Sequence, residues 1–224
     1  MKTLRIVLTL SLLVSALSVH AEGPVTGPAI TLPAPETDGK VSVEKALKER
    51  RSLRDPLTTP LTLKEIGQLC WAAQGVTDDK GHRTAPSARA SYPLELYVIA
   101  GAVTDLAPGL YHYEPEKHAL SLVATGDKRT EFKAKAAGQE WITKAPAIYV
   151  LSGVSEKMGK MKERGSQFMS IEAGLAAQGF FLQATALGLG STFVGGFDPP
   201  AARSALGLPT SEEVLAVLPV GHKP

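Results

Sequence analysis

A chain with a single cysteine cannot staple itself, and Cys70 is the only cysteine among these 224 residues. The constraint bites because the N-terminus reads as a secretory signal. Lys2 and Arg5 precede an apolar run over residues 6–17, and Val19-His20-Ala21 offers small residues where a signal peptidase cuts. The run is about a dozen residues, short of the roughly 20 that span a bilayer as a helix. Residues 1–21 are therefore predicted to be removed, and the mature chain is expected outside the cytoplasm, in the periplasm. An oxidising compartment without a cysteine pair leaves hydrophobic burial as the means of holding the fold. With 44% hydrophobic residues and about 200 residues after cleavage, one domain with a substantial core is expected. Cys70 itself, beside Trp71 in an apolar helical stretch, reads as a small buried hydrophobe.

The charge balance narrows the function classes. Of the 24 basic residues, Lys2 and Arg5 lie in the signal segment, which carries none of the 22 acidic residues. The mature chain is thus neutral and lacks the electrostatic footprint of a general nucleic-acid binder. No later segment is long and apolar enough to cross a membrane.

Residues 22–40 are rich in Pro and Gly and read as a flexible, extended leader, with the folded domain running from 41 to 224. A first helix is expected over 42–51, ended by Asp55-Pro56. Thr62 and Glu65 form a capping box for a helix over 63–74, with Gly75 as its stop. Strands are expected over 94–100, as a hairpin over 109–113 and 119–123, and over 147–152, 191–197 and 214–220. Helices are expected over 127–137, 167–187 and 200–206. Phe168, Ile171, Leu175 and Leu182 mark the apolar spacing of the longest. This order predicts an α+β fold, a central mainly antiparallel or mixed sheet flanked by helices.

Three segments carry potential chemistry. Arg50, Arg51, Ser52 and Arg54 follow a helix end, and guanidinium forks beside a hydroxyl suit a phosphate. Pro86, Ser87 and Ala88 form a small-residue loop whose backbone N–H groups could approach a planar ligand. Gly195 and Gly196, at the end of an expected strand, suggest close backbone approach to a ligand. Gly188 and Gly190 end a helix and open a strand, the reverse of a dinucleotide fingerprint, and read as a helix stop. His82, His112, His118 and His222 lack a metal-ligand spacing, and no Gly-x-Ser-x-Gly elbow is present.

In this order the segments resemble the nitroreductase family, most closely its SagB/ThcOx-type dehydrogenase branch. The carriers are residues 50–54, 69–77, 83–88, 92–97, 109–113, 172–178, 195–197 and 219–222. The resemblance implies a homodimer with FMN in a groove at the subunit interface and a two-electron redox reaction of a small organic substrate. It implies that Arg50, Arg51, Ser52 and Arg54 bind the flavin phosphate, ribityl chain and ring oxygen. Pro86, Ser87 and Ala88 would reach FMN from the partner, Gly195 and Gly196 would pass the ring, and Gly221, His222 and Lys223 would close the phosphate end. The helix over 167–187 would supply much of the interface. NAD(P)H or a quinol is the expected electron donor, and no proton-transfer residue is singled out.

Three departures stand out. Arg89 occupies the Pro-Ser-Ala loop where this branch tends to have Gly. Gly159-Lys160-Met161 replaces the Lys-Tyr pair of azoline-oxidising relatives. The chain ends at Pro224, with no long C-terminal arm in the sequence. Export also leaves an alternative open, a non-catalytic flavin- or nucleotide-binding protein that keeps the fold.

Overall fold

The computed structural model describes residues 27–224. The expected signal segment, residues 1–21, and the first part of the expected leader lie outside the described residues.

Seven strands form one sheet: β1 (Ile30–Thr31), β2 (Leu94–Ala100), β3 (Gly109–Glu114), β4 (Ala119–Thr125), β5 (Ala147–Val154), β6 (Leu189–Ser191) and β7 (Glu212–His222). Their order is β1-β4-β3-β2-β5-β7-β6, and every neighbouring pair is antiparallel. The unbroken apolar run of β5 is explained by burial on both faces. Ala147, Tyr149 and Leu151 enter one core, and Ile148 and Val150 enter the other. A strand that faces water on one side would alternate.

The first core is closed by α2 (Leu63–Gln74) and α4 (Gly165–Ala186). The Thr62–Glu65 capping box is made in full, so α2 starts where the sequence predicts. The two helices pack closely: a Cβ on Gly179 of α4 would lie 2.7 Å from the Ala72 carbonyl oxygen of α2. Phe180 then packs its ring edge-on to Tyr149 of β5 at 4.8 Å. The Tyr149 hydroxyl donates to the Ile66 carbonyl at 3.0 Å, tying α2 to the sheet. The second core is closed by α3 (Arg129–Phe132), the wider turn Lys133–Ala137 and α5 (Pro199–Leu206). Asp198 caps α5 through the Ala201 N–H. The short helix α1 (Val43–Glu49), capped by Ser42, lies against α4.

The structure alters three expectations. The strand expected over 191–197 is β6, placed two residues earlier, with a single further bridge from Val194 to Val217. Gly188, at φ +76°, ends α4 in the left-handed region, so the chain turns directly into β6. Of the apolar residues that mark α4 in the sequence, Phe168 packs against the first core, whereas Ile171 and Leu175 do not face it. The buried stripe of α4 is Met169, Ala173, Ala176, Ala177, Phe180 and Ala184, whereas Ile171 and Leu175 are 54% and 45% exposed. The leader is extended as expected, but from residue 30 it is part of the domain. Ile30 and Thr31 pair with Leu120 and Ala119, Leu32 is buried, and the Leu32 N–H donates to the His118 carbonyl. Glu36 and Gln68 then exchange two hydrogen bonds, of 2.8 and 2.9 Å. This strap covers the edge of β4, which would otherwise present unpaired backbone groups.

Candidate functional site

The basic run leaves α1 at its C-cap, Arg50, and passes along the outer edge of β6. Ser52 bridges Ser191 in parallel fashion, the Leu53 N–H donates to the Ser191 carbonyl at 3.0 Å, and the Leu57 N–H donates to the His222 carbonyl at 3.0 Å. Within the sheet, Gly190 pairs with Gly221 and Leu189 with His222. These two glycines allow the close approach. A Cβ on Gly190 would lie 2.5 Å from Leu53 Cδ2, and one on Gly221 would lie 2.8 Å from both Pro56 and Pro146. Arg50, Ser52, Arg54, Gly221, His222 and Lys223, distant in sequence, are thereby gathered at one sheet edge.

The side chains here differ in occupation. Arg51 donates through Nη1 to the carbonyls of Lys48 and Arg50, closing the C-terminus of α1. The side chains of Arg50 and Arg54 make no hydrogen bond or ion pair among the described residues. The Ser191 hydroxyl, on a residue only 5% exposed, has no hydrogen-bond partner among the described residues. Buried polar atoms are normally satisfied, and an orphan on the strand bridged to Ser52, in a run whose Arg50 and Arg54 side chains lack partners, is what a polar, anionic ligand would complete.

A second cluster surrounds Pro86, Ser87 and Ala88. The Ala88 N–H donates at 2.8 Å to Glu172, a carboxylate on α4 that is only 5% exposed. Ser87 Oγ accepts from the Tyr92 N–H at 2.9 Å, and the Arg83 guanidinium stacks 4.7 Å above the Tyr92 ring. The backbone between is forced: Arg89, Ala90 and Tyr92 have φ of +55°, +52° and +43°. Left-handed conformations cost L-residues about 1–2 kcal/mol each, and such strain concentrates at functional sites. Arg89 thus holds a conformation natural to glycine.

No hydrogen bond, strand bridge or ion pair among the described residues joins the two clusters. Glu172 lies in the first half of α4 and Ser191 follows its end, and the 172–186 stretch of helix rises about 21 Å at 1.5 Å per residue. Gly195 and Gly196 lie in the exposed loop after β6 instead of at a strand end. A Cβ on either would meet no protein atom closer than 3.5 Å, so nothing within the chain requires glycine there. Glu172, Ser191, Arg83 and Tyr92 are additions to the site residues read from the sequence. Glu172 left a trace there as the one carboxylate in a small-residue helix. Ser191 left none, because its isolation is a tertiary property.

The other sheet face carries a buried polar row. Glu212 accepts from the hydroxyls of Tyr97 and Ser152, and burial pushes its carboxyl above the ordinary carboxylate range. Burial also raises Glu95, but hydrogen bonds and charge from His112 and Lys157 outweigh it and hold that carboxyl low. Glu212 binds its proton more tightly folded than unfolded. Its contribution to stability is therefore full below about pH 4.5 and lost as pH rises through the raised folded value. Glu212→Gln is expected to flatten the stability–pH curve over that window, as urea titrations across pH would show. A cleft of about 370 Å³ borders this row, lined by Glu212, Arg203 and Met169 among others, and includes none of the site residues named above. Among the described residues no His, Cys, Asp and Glu cluster is placed to hold a metal, and no helix is long and apolar enough to cross a membrane.

The family model described as nitroreductase matches residues 47–222. A Methanocaldococcus jannaschii protein named as a nitroreductase is 36% identical over 185 residues, covering 82% of this chain and 92% of that protein. Among solved structures, a Ralstonia eutropha protein named likewise superposes with a TM-score of 0.77 at 30% identity, covering 90% of this chain and 93% of its own. A chain of the E. coli microcin synthetase McbBCD complex superposes at 0.67 and 21% identity, covering 94% and 84%, a likeness of fold. The match runs from within α1 to the last residue of β7 and so takes in the sheet edge, the strained loop and the helix between them: this chain belongs to the nitroreductase family.

Proposed function

We propose that the chain is an FMN-dependent oxidoreductase, working as a homodimer outside the cytoplasm and moving two electrons to or from a small organic substrate. The observation that carries this reading is the sheet edge where Ser52 bridges Ser191, whose hydroxyl is orphaned, within a run whose Arg50 and Arg54 side chains have no partner among the described residues. Two guanidinium forks and two serine hydroxyls match a phosphate and a polyol in charge and donor count. Ser52, Arg50 and Arg54 would bind there, with Arg51 exchanging its carbonyl contacts for the ligand. Gly221, His222 and Lys223 would close the phosphate end, and the open space beside Gly195 and Gly196 would take the ring. When bound, FMN would supply the two-electron chemistry. The chain's own part is to hold it, to place positive charge near the ring through Arg54, and to exclude water. NAD(P)H or a quinol would serve as donor.

The dimer reading rests on α4. Pro86, Ser87 and Ala88 lie too far along the helix to serve the same chain's sheet edge, so a second copy would present them. Ile171 and Leu175, with Val43 and Leu47 of the adjoining α1, leave apolar side chains uncovered. The double variant Ile171→Asp/Leu175→Asp is expected to sediment as a folded monomer and to lose most of its flavin. A variant that stays dimeric with flavin bound would refute the interface.

The deciding experiment on the cofactor is the absorbance spectrum of purified, FMN-reconstituted protein, with extraction to identify the flavin. A correctly folded sample with no flavin bound at micromolar concentration would rule the reading out. Stopped-flow mixing with NADH, NADPH and a quinol then separates turnover from mere binding. The exported character read from residues 1–21 favours testing the quinol, because nicotinamide donors are scarce outside the cytoplasm. The SagB/ThcOx-type placement rests on the eight segments read in series. Met161 cannot do acid–base work, so a peptide azoline is not the substrate we favour.

A further inference from the structure

We propose that Arg89 selects substrates bearing a negative charge, a carboxylate or a phosphate, at the mouth of the flavin groove. The inference rests on the dimeric flavin reading above, in which the Pro86–Ala88 loop of one subunit borders the groove of the other. Arg89 is the only long side chain between Ala85 and Ser91. It sits at φ +55°, where glycine would be free of strain. The loop leaves it no choice of backbone. Glu172 holds the preceding Ala88 N–H, Ser87 holds the following Tyr92 N–H, and Arg83 clamps the Tyr92 ring. Its guanidinium is exposed and makes no hydrogen bond, ion pair or ring contact among the described residues. Glu172, the nearest buried carboxylate tied to this loop, is engaged with the Ala88 backbone. A strained backbone that carries a partnerless cation on a rigid small-residue loop fits a group retained for what it meets outside the chain. A planar guanidinium meets carboxylate or phosphate oxygens in a fork and leaves neutral analogues without a partner.

The test uses the FMN-loaded native protein and the variants Arg89→Gly, Arg89→Gln and Arg89→Lys. Benzoate and benzamide, matched in shape and different in charge, are titrated while the flavin absorbance is followed. The native protein is expected to bind benzoate more tightly. Arg89→Gly and Arg89→Gln should weaken benzoate about tenfold or more and shift benzamide by no more than about twofold. Arg89→Lys should restore part of the preference, and salt that shortens the Debye length below about 8 Å should erode it in the native protein. Glycine suits the backbone at this position, so Arg89→Gly is expected to fold, and its thermal midpoint confirms it. Equal losses for both compounds, an unchanged benzoate affinity, or a native spectrum that responds to neither would overturn the proposal. So would loss of FMN itself from Arg89→Gly, which would make Arg89 a cofactor ligand. A native protein that binds no FMN fails earlier and defeats the flavin reading, so the two failures are distinguishable.

Discussion

Arg50→Ala/Arg54→Ala is expected to lose FMN almost completely while the protein without flavin keeps its stability. The two halves of this result have separate causes. Neither side chain makes a hydrogen bond or ion pair within the described chain, so their removal leaves folding within about 0.5 kcal/mol of the native value. Toward a phosphate, each guanidinium contributes a charge-assisted bond worth about 1.5–3 kcal/mol. Losing both amounts to about 3–6 kcal/mol, a weakening of roughly a hundredfold to ten-thousandfold. Flavin titration followed by fluorescence reads the affinity, and urea unfolding without flavin reads the stability. Replacement by lysine keeps the charges and removes the forks, so intermediate affinity is expected. Full affinity in the double alanine variant would move the phosphate site elsewhere. A large loss of stability would instead mean that the arginines are structural.

The second large effect lies in the core. Phe180→Ala is expected to cost about 3–5 kcal/mol, a substantial part of the 5–15 kcal/mol typical of a whole domain. Phe180 is fully buried between α4 and β5, with its ring against Tyr149. Removing it opens a cavity beneath the residue whose hydroxyl anchors α2. A fall in the urea midpoint without a change in slope would report this loss. Ile171→Ala, on the opposite side of the same helix and 54% exposed, is expected to cost the isolated subunit less than about 1 kcal/mol. The two residues are nine apart in one helix, and only packing separates their effects. If both variants cost the same, the assignment of α4's faces is wrong.

That helix shows what could be seen in advance. Its existence and length were legible from composition, and its dispensable face was the conspicuous one. Ile171 and Leu175 are large, well spaced and exposed, whereas the buried stripe is mostly alanine. Small residues on a core face signal a close neighbour, and a neighbour is not written in the local sequence. The same holds for the strap at residues 30–36. Its Pro-rich composition correctly indicated extended chain, and only the edge of β4 and the side chain of Gln68 decided that it would be bound.

At the site the division is similar. Residues 50–54 advertised themselves by charge, and the loop over 86–88 by small size. Their separation along α4, which turns one site into a question about two subunits, came from the fold. Local periodicity, caps and glycine placement determined the strands and helices of this protein, because backbone hydrogen bonding and steric preference act over a few residues. Capping at Thr62 and the continuous apolar run of β5 are of this kind. The tertiary structure alone decided which cations lack partners and which hydroxyl is orphaned at Ser191. It also decided which positions, Arg89 among them, are strained. Satisfaction of a charge or hydroxyl depends on atoms brought together from far along the chain, and a sequence records the group without recording what faces it.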